Sequence, residues 1–482
     1  MIGVNRRIHR IVIELVSPMH VGGGAQDLVY DSPVVRNAFG QWTLPGSSLA
    51  GVLRSIVTRS EGEKNANASF GSIDRDLGDA SSILVSDGEL IDLDGGSALR
   101  KTMAGKPVAL PTDLRVIEDH VRIEDDLSDA PGTAAEGGKY DLEVVPAGVR
   151  FAVEIECHDA AGNSENRDRL ASALGQILAG QAPLGGHGGC GLGVVRAASH
   201  SWRDFDLSQR NDLADFARIG DDPTGRLPGA TDDSPPTAPH RFEATGLSGS
   251  FSLRFETSGP ILMGGAQGPL DTEAGADLVV NRQPVLDWEH QRFVDRPVVP
   301  GSGIRGVIRS RVVHALVASG RTHEEIETVI ENIFGSVSRG DGRRGRIRVE
   351  GAILAETAGT VLQHVGIDRL TGGSLRSALF SEAPIWADGL AIDVKIHLDG
   401  LPPEYLSLLA QAVWDIHDGI APLGGGTRRG NGQIRIGSNP DGLHGLAITV
   451  DLQLDGTPLD DARRLDLEKH VLNVRLEEVG SA

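Results

Sequence analysis

LPGSSLAGVLRS at Leu44–Ser55 and VPGSGIRGVIRS at Val299–Ser310 share the pattern PGSxxxGVxRS, and their recurrence decides the fold. Each stretch is a Pro-Gly turn leading into apolar residues at helical spacing. These are Leu49, Val52, Leu53, Ile56 and Val57 in the first, and Ile304, Val307, Ile308, Val312 and Leu316 in the second. Ser47 and Ser302 are the expected N-caps. Working outward, further matches follow in the same order. IVIELVSPMHVGGG at Ile11–Gly24 is answered by FSLRFETSGPILMGG at Phe251–Gly265, and FGS at Phe70–Ser72 by FGS at Phe334–Ser336. HVRI at His120 is answered by HVGI at His364, and GQAPLGGHGGCGLG at 180–193 by GIAPLGGGTRRGNG at 419–432. Ordered matches of this kind indicate duplication of one domain.

The copies run from 1 to 200 and from 246 to 482. The stretch 201–245 contains GDDPTGRLPGATDDSPPTAPH, rich in Pro, Gly and Asp, and reads as a linker. A second helix is expected at Asn166–Leu178 and at Pro403–Ile416, each just before an APLGG turn. Strands are expected at Ile11–Val16, Ile83–Ser86, Val149–Glu156 and Gly193–Arg196. Their counterparts are Phe251–Glu256, Arg346–Leu354, Leu390–His397 and Gly432–Ile436. The order strand, helix, strand, strand, helix, strand predicts an α+β protein of two tandem ferredoxin-like domains with long loop insertions.

Composition narrows the class. Two cysteines, Cys157 and Cys190, support neither a disulfide framework nor a Cys-based zinc site, and a reducing compartment is the simpler expectation. The N-terminal region has no signal-peptide core, and no apolar run is long enough to span a bilayer. A cytoplasmic protein with no membrane partner is expected. The net charge of −21 argues against nucleic acid if charge is averaged over the surface. However, the acidic excess is concentrated in 72–94, 116–145, 201–245 and 451–482, so the remaining chain is neutral with its arginines clustered in loops.

Several repeated residues are candidates for anion binding. Gly46, Ser47 and Ser48, and likewise Gly301 and Ser302, open a helix whose positive end offers N–H groups to a phosphate, with Arg54, Arg305 and Arg309 further along. Ordinary helix capping is the competing reading. The second Gly-rich segments present Gly185, Gly186 and His187, and Gly424, Gly425, Arg428 and Arg429. These are neither a Walker loop nor a placed dinucleotide motif, and a hairpin turn would also explain them. SRGDGRRGRIRV carries Arg339, Arg343, Arg344, Arg346 and Arg348; it suits contacts to an RNA backbone or a solvated hairpin tip.

The run HVGGGAQDLVYDSPVVRNAFGQWTLPGSSLAGVLRS, from His20 to Ser55, resembles the opening of the RAMP superfamily, specifically backbone subunits of type III CRISPR effector complexes. IDRLT at Ile367–Thr371 and LGGGTRRGNG at Leu423–Gly432 resemble the family's later motifs, so both halves are covered. The resemblance implies a modified RRM-like fold, guide RNA bound along the sheet, and a thumb loop that interrupts the guide–target duplex. The thumbs would be His120–Pro146 and Thr371–Pro384. Partners would be the CRISPR guide RNA, target single-stranded RNA and other type III effector subunits, in antiviral defence.

The resemblance also implies metal-dependent endoribonuclease activity at an Asp in the loop after the first strand, with magnesium or manganese as cofactor. By motif that residue is Asp31 in YDSPVVR, as catalytic and metal-binding group. The second copy lacks DSPV. Asp277 is favoured there because Asp277 to Arg282 repeats the spacing of Asp31 to Arg36, with Asp271 as its rival. His20 could act as acid or base, but the second copy has Leu262 or Met263 in its place, which points to a structural role. The alternative to a cleaving subunit is a non-catalytic scaffold for guide RNA in the same kind of complex.

Overall fold

The computed structural model describes residues 5–24, 31–72, 78–123, 134–159, 164–231, 246–264, 276–336, 342–355, 360–386, 390–441, 446–454 and 457–458. In the first copy the main elements run β1 (Asn5–Leu15), α1 (Gly46–Glu61), α2 (Glu63–Phe70), β2 (Ile83–Val85), β3 (Val116–Ile123), β4 (Ala134–Val144), β5 (Arg150–Asp159), α3 (Glu165–Leu178), β6 (Val195–Asp206) and α4 (Arg210–Phe216). The second copy runs β7 (Leu247–Thr257), β8 (Arg282–Asp287), β9 (Arg292–Val299), α5 (Gly301–Ala318), α6 (His323–Phe334), β10 (Ile347–Val349), β11 (Leu362–Ile367), β12 (Ser374–Ala383), β13 (Ala391–Leu401), α7 (Leu406–His417), β14 (Ile434–Ile436) and β15 (Ile448–Leu454).

Strand order is β2-β5-β1-β6 in the first sheet and β10-β13-β7 in the second, with β14 and β15 together on the free edge of β7. All these pairs are antiparallel, as the ferredoxin-like plan requires. Alternation puts Ile11, Ile13 and Leu15 of β1 into one core with Leu49 and Leu53 of α1 and Leu170 and Leu174 of α3. Leu253, Phe255, Ile304, Ile308, Leu409 and Ile416 do the same in the second copy. Each such fully buried side chain contributes about 1.5–3 kcal/mol, enough to fix which face of the helix turns inward.

The copies differ where a strand meets its edge partner. Strand β6 shifts register by one residue opposite Val12/Ile13. In the second copy the corresponding place holds the whole segment between β14 and β15, so one bulged strand becomes two.

Three expectations change. The first concerns the N-caps. Pro45 and Pro300 occupy that position, so Ser47 and Ser302 lie inside the first turn and make no side-chain cap. Proline's fixed φ suits the extended cap conformation, and the N–H of buried Gly46 is satisfied instead by Asp87 Oδ1 at 2.7 Å. The second concerns helix number, since α2 and α6 follow α1 and α5. Each ends at the FG motif, where Gly71 (φ 77°, ψ 167°) and Gly335 (φ 82°, ψ 170°) adopt an extended positive-φ conformation that only glycine enters readily. A Cβ there would fall 2.5 Å from the Asp79 carbonyl and 2.4 Å from the Arg343 carbonyl, so glycine is required twice over.

The third concerns the linker. Residues 201–206 continue β6, 210–216 form α4, and Phe205, Leu227 and Ile8 bury one another in a small core. Polar residues around Phe205 mask its alternation; the part of the proposed linker at 232–245 lies outside the described residues.

The copies touch directly. The β8–β9 hairpin lies against the first copy: Leu286 N–H donates to the Ala147 carbonyl at 2.9 Å and Trp288 Nε1–H to the Gly148 carbonyl at 2.7 Å. Arg150 stacks on Trp288, its Cζ 3.9 Å from the ring centroid. No helix among the described residues is long and apolar enough to cross a membrane.

Candidate nucleic-acid interface

The first proposed thumb falls in an antiparallel hairpin, β3–β4, whereas Thr371–Pro384 covers only the second strand of the matching hairpin, β11–β12, whose first strand lies before it. Facing pairs match across the copies: His120 opposes Tyr140, and His364 opposes Phe380. Their rings stack at 5.1 and 5.0 Å between centroids. The loop after the first strand then adds to the hairpin in parallel. Ser32 bridges Leu142, and Leu278–Val279 pairs with Glu382–Ala383.

This register places the two aspartates alike. Asp31 Oδ2 accepts the N–H of Asp141 at 3.0 Å, and Asp277 Oδ2 accepts the N–H of Ser381 at 2.7 Å. Asp141 and Ser381 each follow the aromatic residue of the stacked pair, so Asp277 is the structural counterpart of Asp31. Both aspartates are exposed. Asp277 also accepts the Ser381 hydroxyl at 3.0 Å. Asp271 lies outside the described residues.

A buried glutamate organises each site. Glu143, on β4, accepts Arg36 Nη2 at 2.9 Å, Arg115 Nη1 at 2.8 Å and the Val34 N–H at 2.9 Å. Burial alone would raise its pKa, but the two guanidinium groups and the amide outweigh burial and hold it below the ordinary value. Arg36 of DSPVVR therefore anchors the loop that carries Asp31. In the second copy Glu382 accepts Arg429 Nη2 at 2.7 Å and pairs with His364 Nε2 at 2.9 Å, again with its pKa lowered against burial.

His20 is buried. Its Nδ1–H donates to the Glu143 carbonyl at 2.8 Å, which leaves Nε2 to accept the Ser32 hydroxyl at 3.1 Å. Both nitrogens are engaged in holding the loop beside Asp31, in keeping with the structural role read from the sequence.

The Gly-rich segments fold as matching 3₁₀ turns, Gly188–Cys190 and Thr427–Arg429, behind left-handed His187 (φ 56°) and Gly426 (φ 67°). Their first glycines are not an amide cradle. Gly186 N–H donates to the His20 carbonyl at 2.8 Å and Gly425 N–H to the Leu262 carbonyl at 2.7 Å. A Cβ on Gly185 or Gly424 would strike those same carbonyls, at 2.2 and 2.4 Å. Close backbone packing thus explains Gly185 and Gly424, while the N–H groups of Gly186 and Gly425 are already taken by those carbonyls. His187 instead joins a ring cluster 6.1 Å from His20, His120 and Tyr140. Burial, followed by His120 and His20, lowers its pKa, so it is neutral near pH 7. Arg429 covers Phe380 in the second copy, at 5.3 Å, while Arg428 is exposed.

The other candidates separate. Arg54 is committed to the Gly71 carbonyl at 2.7 Å and to Asn67 Oδ1, fastening α1 to the FG turn. The first helix terminus already holds the Asp87 carboxylate at Gly46, which competes with an incoming anion; Ser47 is exposed and Ser48 donates its N–H to the Pro45 carbonyl at 2.9 Å. Gly301 and Ser302 come together with the first copy's Gly-rich turn, lining a cavity of about 80 Å³ with Cys190, Gly191, His120 and Glu118. Arg309 faces Glu327 and Glu331 of α6. Arg343 is exposed, and Arg305 and Arg344 line a second cavity between the copies. Glu143, Glu382, Tyr140 and Phe380 were not found from the sequence, because their partners lie far away in the chain.

Among the described residues no group of three His, Cys, Asp or Glu side chains forms a metal cage. A single exposed carboxylate fits a magnesium-type ion that takes most of its ligands from water and substrate phosphates.

Two repeated ferredoxin-like domains with matching aspartate–hairpin contacts define a duplicated α+β protein. The RAMP superfamily model matches residues 12–196 and 254–435, and the chain belongs to that superfamily. It is also similar to the CRISPR system Cms endoribonuclease Csm3 of Methanocaldococcus jannaschii, with 27% identity over 203 residues, covering 41% of this chain and 78% of the relative.

Proposed function

We propose that the chain is a double backbone subunit of a type III CRISPR effector complex, binding guide RNA across both copies and cutting complementary RNA at Asp31 and Asp277. The observation that carries this reading is the repeated hydrogen bond from the thumb hairpin to an exposed aspartate. Similarity to a Csm3 endoribonuclease supports it.

The chemistry follows from position. An exposed carboxylate held beside a hairpin is suited to orient the 2′-hydroxyl of a displaced nucleotide. The 2′-oxygen attacks the adjacent phosphorus, the 5′-oxygen leaves, and a 2′,3′-cyclic phosphate remains; DNA cannot follow this route. A divalent ion, magnesium or manganese, would stabilise the charge that develops on the phosphate. Glu143, Arg36 and His20 fix the first loop, while Glu382 and Arg429 brace the base of the second hairpin. The scaffold reading has its best support in the second copy, where the Ser381 hydroxyl further engages the Asp277 carboxylate.

Incubating the assembled complex and magnesium with complementary RNA carrying one 2′-deoxy nucleotide at each cut position tests the reaction. Each substitution is expected to remove one product. Cleavage that persists at a deoxy position would refute attack by the 2′-hydroxyl, and intact all-ribose RNA would leave only the scaffold.

A further inference from the structure

Between the copies lies a cavity of about 240 Å³, walled by the C-terminal ends of α1 and α3 on one side and by α5, β10 and β13 on the other. Its lining includes the cations Arg59, Arg305, Arg344, Arg346, Arg348 and Lys395, against the carboxylates Asp399 and Asp451. Asp399 is already shared: it pairs with Arg59 across the copies and lies 3.8 Å from Arg344. Arg348 is buried, with Glu350 at 2.9 Å and the first copy's Gly180 carbonyl at 2.5 Å. Arg346 bonds the Gly400 carbonyl.

Arg305 stands apart. Its Nη2 donates to the Phe334 carbonyl at 2.6 Å, but its Nε is buried with no hydrogen-bond partner. Guanidinium groups do not shed their protons, so this excess of positive charge cannot be relieved by deprotonation. A buried donor left unsatisfied costs about 1–3 kcal/mol, and more when charged. An oxyanion in the cavity answers the excess of positive charge, and phosphate matches the outer N–H groups of an arginine fork.

We propose that this cavity binds a phosphate group, which ties the two copies together through Arg305 and Arg344. The inference rests on the cavity's charge and geometry and holds whether or not the chain cuts RNA. The phosphate could come from free orthophosphate or from an RNA phosphodiester.

The test uses the full chain. Its unfolding temperature and the ³¹P line width of inorganic phosphate are measured against sodium chloride of equal ionic strength, and the unfolding temperature again with single-stranded RNA lacking terminal phosphates. Phosphate is expected to raise the unfolding temperature and to broaden its own resonance. The Arg305→Gln/Arg344→Gln double variant should bind it at least about tenfold more weakly. Without phosphate that variant should unfold at the same temperature as the parent or higher, because like charges have been removed. Protection by RNA that the double variant loses would identify a phosphodiester as the source; protection by orthophosphate alone would identify the free ion. Equal responses in parent and variant, or no response to either ligand, would overturn the proposal. Should the double variant not fold, Arg344→Gln alone, at the exposed mouth, is read by the same ³¹P measurement.

Discussion

The carboxylate of Asp31 is held by the backbone N–H of Asp141, 110 residues away, and Asp277 repeats that contact with Ser381. Because the donors are main-chain groups of a hairpin strand, the contact depends on the register of the hairpin more than on any side chain. A second copy that lost the DSPV motif can therefore retain the geometry.

Glu143 should be critical for the first site. Glu143→Gln leaves the largely buried Arg36 without its carboxylate, removes the partner of the more exposed Arg115, and should cost about 3–5 kcal/mol. Urea denaturation measures it, and a loss below about 1 kcal/mol would show that the pair is not the anchor described here.

His187 holds a left-handed conformation where the second copy uses glycine. His187→Gly should be more stable than His187→Ala by about 1 kcal/mol, although alanine normally wins through its stiffer unfolded chain. If the alanine variant proves the more stable, the backbone at 187 is not left-handed.

Stability should fall on mild acidification. His9 and His200 sit 3.0 Å apart, nitrogen to nitrogen, and burial lowers both pKa values, that of His200 to about 4 from 6.5. Groups with depressed histidine pKa values are neutral in the folded protein, so their contribution is full above pH 6.5 and is lost as the pH drops toward 4. Unfolding temperatures between pH 7 and 5, above the main carboxylate range, should decline in the parent and less steeply in His200→Gln. Parallel curves would contradict this assignment.

Phe205 tests the reach of the first domain. Buried with Ile8 and Leu227, it should cost about 3–5 kcal/mol when replaced by alanine. A neutral effect would return residues 201–231 to the status of a linker.

The repeat was legible in the sequence because PGS, FGS and APLGG are short-range signals, and each marks a helix end or a turn. Helical spacing in Leu49–Val57 and Ile304–Leu316 revealed the helices that cover the sheets. The helices α2 and α6 were missed because they lie inside what read as excursions, and α2 carries few apolar residues. Asp31 and Asp277 could be picked out by motif and by spacing to Arg36 and Arg282. What fixes them could not, since Glu143, Asp141, Ser381 and Glu382 join the site only through hairpin register. The glycines were read as phosphate ligands for the same reason: their partners, the His20 and Leu262 carbonyls, are distant in sequence.

The most direct test of the central claim is electrophoresis of end-labelled complementary RNA after incubation with the assembled complex and magnesium, comparing the parent with Asp31→Ala and Asp277→Ala. The account predicts that each substitution removes a different product and spares the other, and that the double variant leaves the RNA whole while still binding it. Product patterns unchanged by both substitutions would contradict it.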